Sequence, residues 1–163
     1  MVRFFVLFVA ILLLLFTAEL TPPAQAAVVL PWTEFLARTS ASVLSLIDPN
    51  VSVFGRILRS TTNGFAISIE AGCNGIEAAI VLVAAMLAFP APWKFRVLGI
   101  AAGILAVQAL NVVRVLSLFY LGQWNTKAFE WAHLYLWQAL IMLDVLIVWM
   151  IWIRALRPRP SPA

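Results

Sequence analysis

The residues best suited to chemistry are a single cysteine, a single histidine and one arginine inside an apolar stretch: Cys73, His133 and Arg114. A cysteine thiolate is a strong nucleophile, and the pKa of a free thiol, about 8.5, falls near a helix N-terminus or beside a cation. Histidine transfers protons near neutral pH because its unperturbed pKa is about 6.5. Arginine stays charged, so it can hold a carbonyl oxygen or stabilise negative charge. These are the residue types of a cysteine peptidase, provided that the fold brings them together.

Cys73 lies within Gly72-Cys73-Asn74-Gly75, at the expected start of a helix. A thiol there would feel both the helix dipole and any nearby cation, so its pKa is expected below the ordinary value. The flanking glycines let another backbone approach closely, and they can expose amide N–H groups to an oxyanion on an attacked carbonyl. The motif therefore favours a nucleophile over a packing role.

The composition is that of a membrane protein. Of the 163 residues, 64% are hydrophobic and 11% are charged, whereas soluble domains are about 45–50% apolar and about 25% charged. The net charge of +4 is not gathered on one face or in one tract, as nucleic-acid binding requires. We therefore expect a lipid bilayer as partner and no nucleic acid. One cysteine and one histidine on separate helices cannot supply three or four metal ligands, so no metal and no cofactor are expected.

Four apolar stretches must position the candidate residues. They predict an all-α polytopic membrane protein in a single domain, with helices at about 4–20, 74–90, 97–121 and 133–153 and a disordered basic tail at 154–163. The first stretch has two interpretations, because it also fits a signal peptide with its cleavage site at Ala24-Gln25-Ala26. Both interpretations place the residues after Ala27 on the outer face.

The long connection at 21–72 is predicted to be extracytoplasmic and to hold small structures of its own. Pro31 to Ile47 is typical of an amphipathic helix. Val51–Leu58 and Phe65–Glu70 then flank an Asn-Gly pair, which predicts a β-hairpin.

Basic residues mark the cytoplasmic ends of membrane helices. Arg3, the pair Lys94 and Arg96, and Arg154 fall on alternate connections, which predicts a multi-pass protein with both termini inside. The signal-like N-terminus and a site on the outer face indicate the cell inner membrane. Cys73 then lies at the outer start of the second helix, Arg114 toward the outer end of the third, and His133 at the outer start of the fourth. Three reactive groups from three helices are thus predicted to meet at the extracytoplasmic face.

Each group also has a structural interpretation. A lone cysteine in an apolar chain is usually packed, a histidine at a helix start is usually a cap, and an arginine near a helix end commonly reaches lipid phosphates. These interpretations are sound singly, but they explain poorly why all three groups arrive at one face.

Four further residues are predicted to support the site: Asn74, Gly75, Glu77 and Asn111. Glu77 shares a helix face with Cys73, and it is expected either to orient His133 or Arg114 or to form a buried ion pair with Arg114. Asn111 precedes Arg114 by one turn and is expected to position its guanidinium. Asp144 lies about 16 Å deeper than His133 along the last helix, which indicates a packing or proton-path role.

The chain resembles the exosortase/archaeosortase family. The matching residues are Cys73-Asn74-Gly75-Ile76 at the start of one helix, Asn111-Val112-Val113-Arg114 late in the next, and His133 at the start of the last. Family members are typically larger, with about eight membrane helices, and this chain is similar to the compact exosortase H type.

The resemblance implies a membrane transpeptidase-like enzyme that processes secreted proteins. Its substrates would carry a C-terminal tripartite sorting signal of a short motif, a transmembrane helix and a basic tail. Cys73 would be the nucleophile that forms a thioester, with Arg114 and His133 as the other catalytic residues, before transfer to an acceptor that the sequence does not identify. Two other functions stay open: a small transporter or channel component with Asp144 on a polar path, and a non-catalytic assembly subunit with close helix contacts through Gly99 and Gly103.

Overall fold

The computed structural model describes residues 2–156, which form a helical bundle with a small β-sheet at one end. One short helix, α4, packs against three long ones. The bundle consists of α1 (Val2–Glu19), α4 (Ile76–Ala88), α5 (Trp93–Trp124) and α7 (Trp137–Ala155), with α6 (Thr126–Trp131) and a π-helical turn (Ala132–Leu136) leading into α7. The predicted all-α polytopic class is confirmed.

Three helical runs are long and apolar enough to cross a membrane: Val2–Glu19, Trp93–Trp124 and Thr126–Ala155. Helix α4 has only 13 residues, about 20 Å, against a hydrocarbon core of about 30 Å. It is shorter than the predicted range of 74–90 because Gly75 has a left-handed φ of 75° and because Pro90 disfavours helix at the residue before it.

The last two membrane helices are longer than predicted. Helix α5 begins at Trp93, and the following helical run begins at Thr126, so the connection predicted at 122–132 shrinks to a break at Asn125. Asn125 is extended, with a φ of −156°, and its side chain accepts a hydrogen bond from the amide of Ala128. This N-cap starts the next helix at once, which places His133 inside a helical run.

The connection between α1 and α4 contains helix and sheet. A short helix α2 (Pro22–Ala24) and a π-helical turn (Gln25–Val29) precede α3 (Leu30–Leu44). Three antiparallel strands follow in the order β1 (Val51–Phe54), β2 (Ile57–Ser60) and β3 (Ala66–Ser68). The hairpin predicted around Asn63-Gly64 is confirmed between β2 and β3. The single strand predicted over 51–58 is instead two strands, because Gly55, with a φ of 56°, turns the chain.

The sheet and α3 pack against the C-terminal part of α5. Their shared core includes Leu36 and Leu44 of α3, Leu58 of β2 and Phe119 of α5. The Phe65 ring, next to β3, lies against Gly122, where any side chain would collide with it. This packing keeps the segment that follows β3 close to α5.

A second core joins α4, α5 and α7, with Leu82, Met86, Val107, Ile141 and Val145 among its buried members. At the other end of the bundle the Trp152 indole donates a hydrogen bond to the carbonyl of Phe95, at 3.0 Å. The end of α7 therefore lies beside the start of α5. Residues 154 and 155, predicted to begin a disordered tail, belong to α7; residues 157–163 of that predicted tail lie outside the described part.

Candidate active site

Cys73 lies in a tight loop between β3 and α4. Gly72 and Gly75 on either side have φ values of 83° and 75°, a left-handed conformation that glycine adopts without strain. The amide of Cys73 donates to the carbonyl of Glu70 at 3.0 Å, which closes a turn. Because α4 starts at Ile76, Cys73 precedes the helix instead of opening it.

The side chains of Arg114 and His133 reach Cys73 from two other elements. The Sγ atom lies 3.7 Å from Nε2 and 3.9 Å from Nδ1 of His133. Arg114 donates to the same sulfur through one terminal nitrogen, at 3.5 Å. The three candidate catalytic residues therefore form one cluster, although they are far apart in the chain.

Arg114 is held almost entirely inside the protein, at 3% exposure. Its second terminal nitrogen donates to the carbonyl of Gly72 at 3.4 Å. Its Nε atom is buried and has no hydrogen-bond partner within residues 2–156. Buried arginine nitrogens are normally satisfied, so this side chain has donor capacity left beside the sulfur.

His133 projects from the π-helical turn that joins α6 to α7. Its ring stacks on the Phe129 ring, with the centroids 5.6 Å apart and the planes inclined by 3°. Single π-helical turns within α-helices are frequent at functional sites. The turn and the stacking partner set the direction in which the imidazole faces the thiol.

Burial raises the pKa of the Cys73 thiol above its ordinary value. The Arg114 cation acts in the opposite direction and lowers this pKa, while the carboxylates of Glu77 and Glu70 raise it further. The expected fall in pKa was therefore wrong: the thiol is half-buried, and Cys73 lies three positions before the first residue of the helix. Desolvation of the thiolate outweighs its cation.

Glu77 does not pair with Arg114. In the part of the chain that the structure describes, the salt bridges are Arg38 with Glu34 and Arg56 with Glu70. One oxygen of Glu77 instead accepts a short hydrogen bond from the amide of Gly72. The predicted ion pair is wrong. Because the amide of Gly72 already donates to Glu77, it is not free to donate a hydrogen bond to an oxyanion.

The Asn111 side chain bonds to the backbone of Cys73, and within the described residues it makes no hydrogen bond to the Arg114 guanidinium. Its side-chain nitrogen donates to the carbonyl of Cys73 at 3.3 Å, and the residue is fully buried. Gln108, one turn earlier on α5, lies so close to Gly75 that a Cβ there would be 2.8 Å from its amide nitrogen. Helix α5 therefore lines the loop with Gln108, Asn111 and Arg114 in succession.

Asn74 connects the loop to α3, which the sequence had not associated with the site. Its side-chain oxygen accepts from the amide of Ile76 at 3.0 Å, and its side-chain nitrogen donates to the Thr33 hydroxyl at 3.0 Å. The Trp32 indole donates to the carbonyl of Asn74 at 3.2 Å. Neither α3 residue was predicted here, because contacts about forty positions apart leave no local pattern in a single sequence.

Asp144 belongs to α7 and takes no part in the cluster around Cys73. One of its carboxylate oxygens is buried without a partner within residues 2–156. Over the same residues, no group of three or more His, Cys, Asp and Glu side chains is arranged to hold a metal ion.

A family model described as transmembrane exosortase (Exosortase_EpsH) matches residues 2–151 of the chain. The matched range includes α1, the loop around Cys73, and both Arg114 and His133. No curated protein and no solved structure matches the chain.

Proposed function

The chain belongs to the transmembrane exosortase family, whose membership indicates a membrane transpeptidase or protease in general, and from this premise we propose that it is a cysteine enzyme acting through Cys73. The single observation that carries the proposal is the position of the Cys73 sulfur, 3.7 Å from an imidazole nitrogen of His133 and 3.5 Å from a guanidinium nitrogen of Arg114. A thiol, a proton acceptor and a fixed cation within reach of one another are the groups that acyl transfer to sulfur needs.

His133 acts as the base. The Cys73 thiol is protonated at rest because burial raises its pKa, and only the thiolate attacks carbonyl carbon. His133 therefore takes the thiol proton as the substrate binds. Contacts of this kind are often long without substrate and shorten in the reacting complex.

The thiolate sulfur then bonds to the carbonyl carbon of the scissile peptide. Arg114 stabilises the negative charge that develops on the carbonyl oxygen, since its guanidinium already lies beside the sulfur. Breaking the C–N bond releases the amine, which leaves with the proton held by His133. A thioester to Cys73 remains, and an acceptor nucleophile resolves it after losing its own proton to His133.

The site is proposed to lie at the outer surface of an inner membrane. At about 1.5 Å per residue, the path along α5 from Lys94 to Arg114 is about 30 Å, the thickness of the hydrocarbon core. His133 is separated from Arg154 by a similar length of the last helical run. Arg3 and Arg96 line one cavity at the end opposite the site, as the positive-inside rule requires if that end is cytoplasmic.

The substrates are proposed to be secreted proteins with a C-terminal tripartite sorting signal. A substrate helix in the bilayer would hold its scissile bond at the depth of Cys73, which supplies orientation without a deep soluble cleft.

The test is processing in membranes. A secreted protein of the same organism with a C-terminal apolar helix and basic tail is co-expressed with the native chain, with Cys73→Ala or with Cys73→Ser, at matched membrane levels. We expect cleavage with the native chain and none with either variant. Cleavage that persists in both variants would exclude a thiol nucleophile.

A further inference from the structure

The loop that carries Cys73 is held from outside the bundle by two neighbouring residues of α3. Trp32 and Thr33 both bond to Asn74, one through its indole N–H and the other through its hydroxyl. Asn74 directly follows Cys73 and is fully buried. The nucleophile therefore has one chain neighbour whose backbone and side chain are both fixed by the same helix.

The Thr33 hydroxyl already donates its hydrogen to the turn before α3, so toward the loop it can only accept a hydrogen bond. Thr33 is 2% exposed and donates its hydroxyl hydrogen to the carbonyl of Val29, at 2.7 Å. Its oxygen is left as an acceptor, and the Asn74 amide donates to it. Since the other end of the Asn74 side chain accepts from the amide of Ile76, this side chain spans from α3 to the first turn of α4.

Trp32 fixes the backbone at the same residue. Its N–H holds the Asn74 carbonyl at 3.2 Å, and its ring lies 5.5 Å from the Phe35 ring. A carbonyl held in this way fixes the peptide plane between Asn74 and Gly75. That plane lies two residues after the sulfur, in a loop whose glycines supply little stiffness of their own.

We propose that Trp32 and Thr33 are positioning residues for the Cys73 nucleophile, acting through Asn74. Helix α5 holds the opposite side of the loop through Arg114 and Asn111, on the carbonyls of Gly72 and Cys73. With α3 on one side and α5 on the other, the sulfur is held toward His133. Loss of either α3 bond would let the loop relax and move the sulfur away from its base, and misplacement by about 1 Å can cost up to about a hundredfold in rate.

The experiment compares Thr33→Val, which keeps the shape and removes the hydroxyl, with Thr33→Ser, which restores it. Trp32→Phe keeps an aromatic ring and removes the N–H donor. Thr39→Val is the matched control, because Thr39 makes an equivalent bond to the carbonyl of Phe35 within the same helix and none to the loop. The full chain is used in membranes, at matched levels.

Two readouts separate positioning from folding. Each variant loses one hydrogen bond to the loop, so we expect Thr33→Val and Trp32→Phe to lower kcat for processing about five- to tenfold with KM little changed. Alkylation of the single cysteine by a maleimide should become several-fold faster in both variants, because a relaxed loop exposes the sulfur. Thr33→Ser and Thr39→Val should match the native chain in both measurements.

Equal behaviour of Thr33→Val and Thr33→Ser, or unchanged alkylation in Thr33→Val and Trp32→Phe, would overturn the proposal. The inference rests on the proposed function only for the processing readout. Absence of processing by the native chain would count against the proposed function, whereas the alkylation comparison would still decide whether α3 holds the loop.

Discussion

The surroundings of Cys73 act on the pKa of its thiol in opposite directions. Burial and two carboxylates raise its pKa, and Arg114 lowers it. The net direction is upward, so Cys73 rests as a thiol, and the proposed mechanism needs His133 to remove its proton. A thiol that ionises only when a base and a substrate are both present is protected from oxidation and from unselective reaction, since both of these proceed through the thiolate.

Alkylation of Cys73 should therefore show a high midpoint in its pH profile. Iodoacetamide reacts with the thiolate, and a raised pKa leaves less thiolate at every pH below the midpoint. We expect the midpoint for the native chain above that of an ordinary cysteine. Arg114→Gln should move it higher still, because the cation that favours the thiolate is removed.

The measurement is the rate of iodoacetamide labelling from pH 6 to 10, read by mass spectrometry on a chain that has only one cysteine. Arg38→Gln, which also removes one positive charge but on an exposed face of α3, is the control for charge alone. A midpoint for the native chain below that of free cysteine would show that burial does not raise the pKa of Cys73.

At the scale of elements, the loop around Cys73 depends on two glycines that differ in their surroundings. Gly72 and Gly75 both have positive φ values, but a Cβ on Gly72 meets nothing within 4 Å, whereas one on Gly75 collides with Gln108 and Asn111. Alanine at either position costs about 1–2 kcal/mol from the left-handed backbone. Only at Gly75 would the ends of the Gln108 and Asn111 side chains on α5 also have to shift.

We predict that Gly75→Ala lowers both the thermal unfolding temperature and processing more than Gly72→Ala does. Both variants carry the same backbone penalty, so their difference reports the close approach of the loop to α5. Unfolding in detergent, followed by tryptophan fluorescence, measures the stability. Equal effects would show that the contact between Gly75 and α5 contributes little.

The first helix makes contacts that a cleaved signal peptide would remove. The Phe4 ring lies 6.2 Å from the Phe89 ring and 6.0 Å from the Trp149 ring. Glu19, at the other end of α1, is only 8% exposed, and its carbonyl accepts a hydrogen bond from the Gln25 side chain at 2.9 Å. The segment Ala24-Gln25-Ala26, where cleavage would occur, is helical.

We therefore predict that α1 is retained, because its loss would expose the faces of α4 and α7 on which it packs. Intact-mass measurement of a C-terminally tagged chain purified from membranes decides the matter. The full mass is expected. A mass lower by the residues up to Ala26 would show that the helix is a signal peptide.

Much of this arrangement follows from local patterns, and some of it does not. The four apolar stretches and the Asn-Gly turn each depend on neighbouring residues, so the helical class and the hairpin could be predicted. The early start of the last helical run could not, because Asn125 acts as a cap only once α5 has ended there. The roles of Glu77, Thr33 and Trp32 depend on which loop atoms they meet, and that is decided by packing.

At the scale of the whole molecule, the polar groups fall into separate regions. The cluster of Cys73, Arg114 and His133 lies at one end of the bundle, and Arg3 and Arg96 line a cavity at the other. Asp144, on α7, belongs to neither region. A transport path would need polar groups that connect the two ends, whereas a peptidase needs only the cluster.

We predict that Asp144→Asn retains most of the processing activity, within about threefold, because the amide keeps the volume of the side chain and the proposed chemistry makes no use of the carboxylate. The assay is the co-expression test, with Cys73→Ala as the inactive reference at equal membrane levels. Loss of function in Asp144→Asn equal to that in Cys73→Ala would favour the transport interpretation.

In the proposed mechanism the Cys73 sulfur becomes covalently bonded to its substrate. The most direct measurement is mass spectrometry of the enzyme purified from cells that co-express a secreted protein with a C-terminal helix and basic tail. The proposed mechanism predicts an adduct on the peptide containing Cys73, equal in mass to the substrate without its C-terminal signal. Hydroxylamine should release this adduct, as it does a thioester, and the adduct should be missing in Cys73→Ala. Cleaved substrate together with an adduct on another residue, or with continued cleavage in Cys73→Ala, would contradict this mechanism.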